Sequence, residues 1–503
     1  MIPVLDIFAG PGGLGEGFAA FRVNDRPAFR VALSIEKDEH AYETLLLRSF
    51  YRQYSGREVP SNYYRCLRGE LIRQDLFRLH PSEAKTAALE AWRAELGKTP
   101  QSQVDERIRQ SIGNVSSWVL IGGPPCQAYS IVGRVRIKGD SQQKYDSDPR
   151  HFLYREYLRI LRDYRPPVFV MENVKGILSA TVKGKPILER ILADLRALKY
   201  SLHTLVRSAD EPDFTGNRAA HDNPATFVIE SERYGIPQAR HRVIIIGVRE
   251  DLKAQPRPLE EVTPPVTLWD AIQDLPPLRS LLSREHDSAS TWEKTIRQVF
   301  KSVNGELGSD LKTFMLKQIK RLKSNLDGGG EFVRWDQKAE LYKSWFGDPR
   351  LHGVLNHSSR RHMGADLRRY FFAACFGLAH RRSPVLADFP RALLPEHDNV
   401  EEGIDSGTFR DRFRVQLKYK PATTITSHIR KDGHYFIHPD PGQCRSLTVR
   451  EAARLQTFPD NYWFSGPRTA QYQQVGNAVP PLLARDIARI VFNLFCSKAR
   501  STR

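Results

Sequence analysis

Three stretches of the chain hold residues whose types and settings suit covalent chemistry on a bound substrate. Cys126 stands in GGPPCQ, directly after the apolar run WVLIGG (118–123). Two glycines and two prolines fix the backbone there, and a thiol on a rigid turn at the end of a buried strand is placed as a nucleophile. Glu172 ends a second apolar run, PVFVMEN (167–173), so a carboxylate faces the same edge of a sheet as the thiol. Gln238, Arg240 and Arg242 alternate just before VIIIGV (243–248), and alternate residues of an extended segment point to one side. A fourth stretch suits binding. Gly10, Gly12 and Gly15 form a GxGxxG between the run PVLDIF and a helix expected over 16–21, where a tight turn and free N–H groups can receive a nucleotide. Glu36 ends the next strand, VALSIE, where an acid can hold a ribose, and Asp75 stands where a third strand is expected to end. Each feature has an ordinary alternative: a structural turn for the glycines, a strand-end acid for Glu36 and Glu172, a solvated edge strand for the arginines.

The elements that must position these residues read as α/β. Short apolar runs alternate with amphipathic stretches, the pattern of a parallel sheet covered by helices. One helix is expected over 152–164, with Leu153, Tyr157, Ile160, Leu161 and Tyr164 on its inner face, and another over 81–96. In such sheets ligands bind beyond the carboxyl ends of the strands, so these strand endings converge. The arginines precede their strand, and they join the same edge only if that strand runs antiparallel to the rest. A proline-rich stretch from Pro256 to Pro277 marks a boundary. Domains are therefore expected at 1–252, 253–443 and 444–503, the last returning to the first. In that return Thr448 and Glu451 form a capping box, and Pro480 or Pro481 suits a helix's first turn.

Composition narrows the partners. The 503 residues carry 76 Lys+Arg against 58 Asp+Glu, a formal net charge of +18. That excess favours a polyanion, with nucleic acid the leading one. No apolar run approaches the roughly 18 residues of a membrane span, and the N-terminus lacks a secretory pattern, so a cytoplasmic protein without membrane contact is expected. Five scattered cysteines without a CxxC argue against a disulfide scaffold, and His357, His362, Cys375 and His380 lack metal-ligand spacing, so no metal is expected.

DIFAGPGGLGEGF, GGPPCQAYS, ENVKG, QARHRVIIIG, RSLTVREAARLQTFPD and QVGNAVPP follow one another in the order of the motifs of the bacterial-type DNA (cytosine-5)-methyltransferases, which the chain resembles. The resemblance implies a Rossmann-like S-adenosylmethionine-dependent fold: a mixed sheet with one antiparallel strand, plus a separate target-recognition domain. It implies methyl transfer from S-adenosyl-L-methionine to C5 of cytosine in duplex DNA, leaving S-adenosyl-L-homocysteine. By the same resemblance Phe8, Ala9, Gly10, Gly12, Gly13, Leu14, Pro124 and Val479 line the cofactor pocket, Glu36 holds the ribose, Asp75 reads the adenine and Asn477 returns to the pocket. Cys126 matches the nucleophile, Glu172 the residue at N3 and N4 of the cytosine, and Arg242, with Arg240, the guanidinium near O2.

DNA contacts are expected from Gln127, Ser130, Arg134, Arg136 and Lys138 after the cysteine, from Gln238, and from Arg360, Arg361, Arg368 and Arg369. The last four belong to a stretch, 350–382, with seven arginines and one acid. The wet face of helices is the alternative for them. Long insertions between Glu36 and Asp75, between Asp75 and Cys126 and between Arg207 and Gln238 set the chain apart from a minimal family member. The expected role is restriction–modification or related phage defence, as a monomer on DNA, with other defence-system proteins as further partners. Rival readings are a tRNA cytosine methyltransferase, a non-catalytic DNA-binding module and a nicotinamide oxidoreductase, the last sharing only the glycine loop.

Overall fold

The computed structural model describes residues 1–124, 153–182, 185–207, 223–303, 305–323, 325–336, 339–395, 400 and 411–501. It divides into two compact units: Met1–Tyr63, Arg73–Pro264 and Ala478–Arg503 form one, Tyr64–Ile72 and Pro265–Asn477 the other. The expected return at 444 thus begins later, since 444–477 belongs to the second unit. No helix among the described residues is long and apolar enough to cross a membrane.

In the first unit the elements follow as β1 (Ile2–Ile7), α1 (Gly13–Ala20), β2 (Phe29–Glu36), α2 (Glu39–Arg52), α3 (Arg73–Leu79), α4 (Pro81–Glu90), β3 (Ala91–Arg93), α5 (Gln101–Ile112), β4 (Val119–Gly122), α6 (Leu153–Tyr164), β5 (Val168–Val174), α7 (Ile187–Ala197), β6 (Tyr200–His203), β7 (Val228–Glu230) and β8 (His241–Arg249). The strands form one eight-stranded sheet in the order β6-β8-β5-β4-β1-β2-β3, with β7 also on β8. Pairing from β3 through to β5 is parallel throughout. β8 alone runs against its neighbours β5, β6 and β7. The expected antiparallel strand is therefore present, and it brings the start of β8 to the edge where the other strands end.

The apolar runs form strands because both faces are covered. Leu5, Ile7, Leu33, Leu120, Phe169 and Ile245 share one core with Tyr157, Ile160 and Leu161 of α6, the face expected for that helix. The helix expected over 81–96 is only partly so. It stops at Glu90, and Ala91, Trp92 and Arg93 pair in parallel with Ser34, Ile35 and Glu36. An open sheet edge outweighed the helical periodicity there, a tertiary effect that local propensity does not carry.

The closing helix of this unit, Pro481–Ser501, packs along α1. The approach depends on glycine. A Cβ at Gly17 would lie 2.4 Å from Ala484 Cβ and 2.5 Å from Pro481 O, distances only a separation of the helices could relieve.

The second unit is organised around buried ion pairs. The helix Val449–Leu455 opens with the expected capping box: Glu451 N donates to Thr448 Oγ1 at 3.2 Å, and Thr448 N to Glu451 Oε2 at 2.7 Å. Arg445 grips the same carboxylate at 2.6 and 2.7 Å, Arg454 joins Asp274 and Asp460, and Arg450 donates to three carbonyl oxygens. The arginines of RSLTVREAARLQTFPD are thus buried and fully engaged. His357 lies beside them, with Nε2 2.8 Å from Pro276 O and Nδ1 2.9 Å from Thr448 Oγ1. A neutral ring, protonated on Nε2, satisfies both neighbours. Burial pushes its pKa down to about 4.

Two outcomes follow. Gly17→Ala should destabilise the protein by about 1–3 kcal/mol in urea unfolding, and an unchanged midpoint would contradict the helix contact. His357 binds its proton near pH 6.5 when unfolded but only near 4 when folded. Its contribution is complete above pH 6.5 and is lost as pH falls towards 4, by up to about 1.4 kcal/mol per pH unit. In His357→Gln, which keeps a donor for Pro276 O, stability plotted against pH should flatten over that window; an unaltered slope would contradict the neutral ring.

Candidate active site

Where β4 reaches the edge at which the parallel strands end, the backbone admits no side chain. β4 leaves the sheet through Gly122 and Gly123. A Cβ at Gly122 would lie 2.3 Å from Ile7 O, and one at Gly123 only 2.6 Å from Glu172 Oε2. The chain leading to Cys126 therefore passes directly against the Glu172 carboxylate. Pro124 follows and is buried. Cys126, Gln127, Ser130, Arg134, Arg136 and Lys138 lie outside the described residues.

Glu172 is the fifth residue of β5, opposite Ile244 of β8 in the antiparallel ladder, and Arg242 lies opposite Val174. This register sets Arg242 Nε 3.0 Å from Glu172 Oε1, with both side chains 13% exposed. Arg242 Nη1 also donates to His241 O at 2.8 Å. Upstream, Ser231 Oγ donates to Gln238 O at 2.8 Å and accepts from Arg240 N at 3.1 Å, which fixes the bend before the strand. Gln238 and Arg240 are buried, which excludes a solvated edge strand.

Burial pushes the Glu172 carboxyl above its ordinary pKa, against the opposing pull of Arg242 and Arg240. The two guanidinium groups are pushed down, chiefly by burial. A carboxyl that holds its proton more firmly, beside a cation and with little water, can donate to a ring nitrogen and stabilise negative charge developing next to it.

The glycine loop forms the other end of this edge. Phe8, Gly10 and Gly12 have φ of 56°, 57° and 92°. For Phe8 this left-handed backbone is strained, and such strain gathers at ligand sites. Gly12 is the N-cap of α1. Ala9 N donates to Ile35 O at 3.1 Å and Gly12 N to Ala9 O at 2.9 Å. Glu36 Oε2 accepts from Gly10 N at 2.8 Å, while Oε1 accepts from Lys37 N at 2.9 Å and Asp38 N at 2.8 Å. A carboxylate has about four acceptor sites, so Glu36 keeps capacity for a hydroxyl donor while it holds the loop. A Cβ at Gly13 would lie 2.2 Å from Val479 O, so the C-terminal return closes on the loop at that point. Leu14 is buried. Asn477 is exposed at the end of the second unit's helix Arg468–Asn477.

Asp75 departs from expectation. It lies in the first turn of α3, paired with Arg78 at 2.6 Å, and not at the end of a strand. The strand beside β2 is β3, and the acid just beyond it is Glu95, 3.4 Å from Lys37 Nζ and 3.1 Å from Lys98 Nζ. The helical periodicity of 81–96 concealed that strand, and with it the acid. Asp6 was also missed. It lies on β1 under the loop, its carboxyl pushed up by burial to about 8, and a Cβ at Gly15 would be 2.8 Å from its Oδ2. An acid inside an apolar strand directly before the glycines was the available signal.

The arginines of 350–382 are divided in use. Arg360 is buried, donates to the carbonyl oxygens of Ile429, Arg430 and Lys431, and stacks 4.4 Å over the Tyr472 ring. Arg369 donates to Leu393 O, Leu394 O and Asp366. These two hold the second unit together, and their expected phosphate contacts are not supported by their surroundings. Arg361 donates to Leu282 O at 3.1 Å and is otherwise exposed, and Arg368 donates to Gln298 Oε1 at 3.3 Å.

The chain has relatives of named type along most of its length. It is 33% identical over 509 residues to the type II methyltransferase M.Bpa9945I of Bacillus paralicheniformis, covering 97% of this chain and 98% of that protein. It is 26% identical to the type II methyltransferase M.AgeI of Thalassovita gelatinovora over 97% of this chain and 98% of that one. It is 27% identical to the type II methyltransferase M.DdeI of Desulfomicrobium norvegicum over 96% and 87%. The sequence profile of the C-5 cytosine-specific DNA methylases matches residues 79–493. The chain belongs to that family and is a DNA (cytosine-5-)-methyltransferase.

Proposed function

We propose that this enzyme transfers a methyl group from S-adenosyl-L-methionine to C5 of a cytosine flipped out of a specific duplex DNA sequence, through a covalent bond between Cys126 Sγ and C6 of the base. The observation that carries this reading is the contact of three parts. The backbone leading to Cys126 passes against one oxygen of Glu172, and Arg242 engages the other.

C5 of cytosine is a weak nucleophile until a thiolate adds to C6 and makes the ring an enamine. Glu172 donates a proton to N3 as the C6–S bond forms, and Arg242, assisted by Arg240, stabilises charge at O2. C5 then takes the methyl group, the C5 proton leaves to a base, and the C6–S bond breaks to release the thiolate. These atoms are inaccessible in a stacked duplex, so the base must leave the helix.

The glycine loop fits the methyl donor, which supplies an electrophilic methyl group when bound and leaves S-adenosyl-L-homocysteine. Glu36 has acceptor capacity for ribose hydroxyls, and the motifs assign Phe8, Ala9, Gly10, Gly12, Gly13, Leu14, Pro124, Asn477 and Val479 to the donor's pocket. Glu95, in place of Asp75, is the acid available to the adenine. The type II relatives support a role in restriction–modification, with the enzyme acting as a cytoplasmic monomer on DNA.

Incubation with S-adenosylmethionine and duplex DNA carrying 5-fluorocytosine tests the reading, because fluorine cannot leave C5 as a proton does. A stable protein–DNA adduct is expected from the wild type and none from Cys126→Ser. Glu172→Gln should slow adduct formation by about 10²–10⁴-fold. Absence of any adduct with cofactor bound, or an adduct that survives Cys126→Ser, would contradict it.

A further inference from the structure

Between Ala289 and Lys323 the chain carries eight Lys/Arg and three acids. Two helices of the second unit span most of this stretch, Ala289–Arg297 and Ser309–Ile319. Both pack on the helix Gly364–His380. Trp292, Ile296, Met315 and Ile319 enter a core with Tyr370 and Phe371. Their apolar sides are thereby used up, and the sides left outward are basic.

Lys312, Lys317 and Lys320 are exposed and fall within about 140° of helix surface, spread over roughly 12 Å of its length. Arg321 and Lys323 continue the exposed positive run. Among the described residues none of these five takes part in an ion pair. Of the three acids, Glu293 pairs with Arg297 at 2.6 Å, Glu306 Oε2 accepts from Arg391 N at 2.6 Å, and the exposed Asp310 accepts from Ser309 Oγ at 3.2 Å. Lys294 and Arg297 of the first helix, with Lys301 beyond its end, border a groove of about 380 Å³ together with Ser290, Glu293 and Gln298.

We infer that this helical lobe is a phosphate-gripping surface that contacts the DNA backbone and reads no bases, an inference that rests on the function proposed above. Uncommitted lysines in a row, with Leu316 the one large apolar side chain exposed among them, suit a uniform line of phosphates better than a protein partner. The surface supplies what Arg360 and Arg369 cannot, because their guanidinium groups are bound to carbonyl oxygens. Each lysine that meets a phosphate should release about one counterion and steepen the salt dependence accordingly.

Binding of a fluorescent duplex, followed by anisotropy across a series of salt concentrations, tests this in the full chain. The variant Lys312→Gln/Lys317→Gln/Lys320→Gln should lower the magnitude of the slope of log K against log[salt] by about two to three. A control of equal charge change in the first unit, Lys85→Gln/Lys199→Gln/Lys253→Gln, should leave the slope near that of the wild type. Adduct yield on 5-fluorocytosine DNA at saturating concentration should be unchanged in the lobe variant. A slope equal to wild type, or an equal loss in the control, would overturn the inference and leave the catalytic reading intact. Absence of an adduct from the wild type would sink the catalytic reading, while the slope comparison would still decide the surface.

Discussion

Arg242 reaches Glu172 only because β8 runs against its neighbours. In a wholly parallel sheet the strand after Gln238 and Arg240 would carry its leading residues to the far edge, and Glu172 would stand beside that strand's carboxyl end, away from the arginines. Reversal puts the first residues of β8 level with the last residues of β5, so two polar side chains meet at that edge while the eight-stranded sheet and its helices lie behind them. Burial then raises the acid's proton affinity and the guanidinium opposes full neutralisation. The steric limits at Gly122 and Gly123 belong to the same constraint, since any side chain there would strike Ile7 or Glu172 and displace the loop that leads to the thiol.

The second unit shows how little net charge says about location. Arginine is the residue of choice for a buried cation, because five donors in a rigid fork satisfy several carbonyls or a carboxylate at once. Arg360, Arg369, Arg445, Arg450 and Arg454 are used in that way. The exposed charge of the helical lobe is mostly lysine, whose hydrated ammonium stays in water at little cost. These five arginines serve interior bonding, whereas the lysines of the lobe stay exposed.

Much of the site was legible in the sequence. The order of polar strand endings predicted one ligand edge, the arginines preceding their strand predicted the reversed strand, and Thr448 with Glu451 predicted a capped helix; each is a local or periodic signal that the fold preserves. What was illegible depended on distant pairing. Asp75 proved helical, and Glu95 follows the strand instead, because Ala91–Arg93 satisfies an open sheet edge that no helical periodicity announces. Arg360 could not be told from a phosphate ligand, because the three carbonyl oxygens it serves lie about seventy residues away. Glu172 and Arg242, seventy residues apart, were expected at one edge, but their direct pairing is set by the register of β5 and β8.

The central claim is that Glu172 and Arg242 act as one unit on the cytosine ring. Loss of tritium from C5 of [5-³H]cytosine duplex DNA reports on the activated ring directly, and a double-mutant cycle isolates the coupling. If the pair acts jointly, Glu172→Gln and Arg242→Gln each slow tritium release, and the double variant is scarcely slower than the worse single one. Losses that multiply in the double variant would contradict the account, because they would show two independent contributions where the geometry joins two side chains into one.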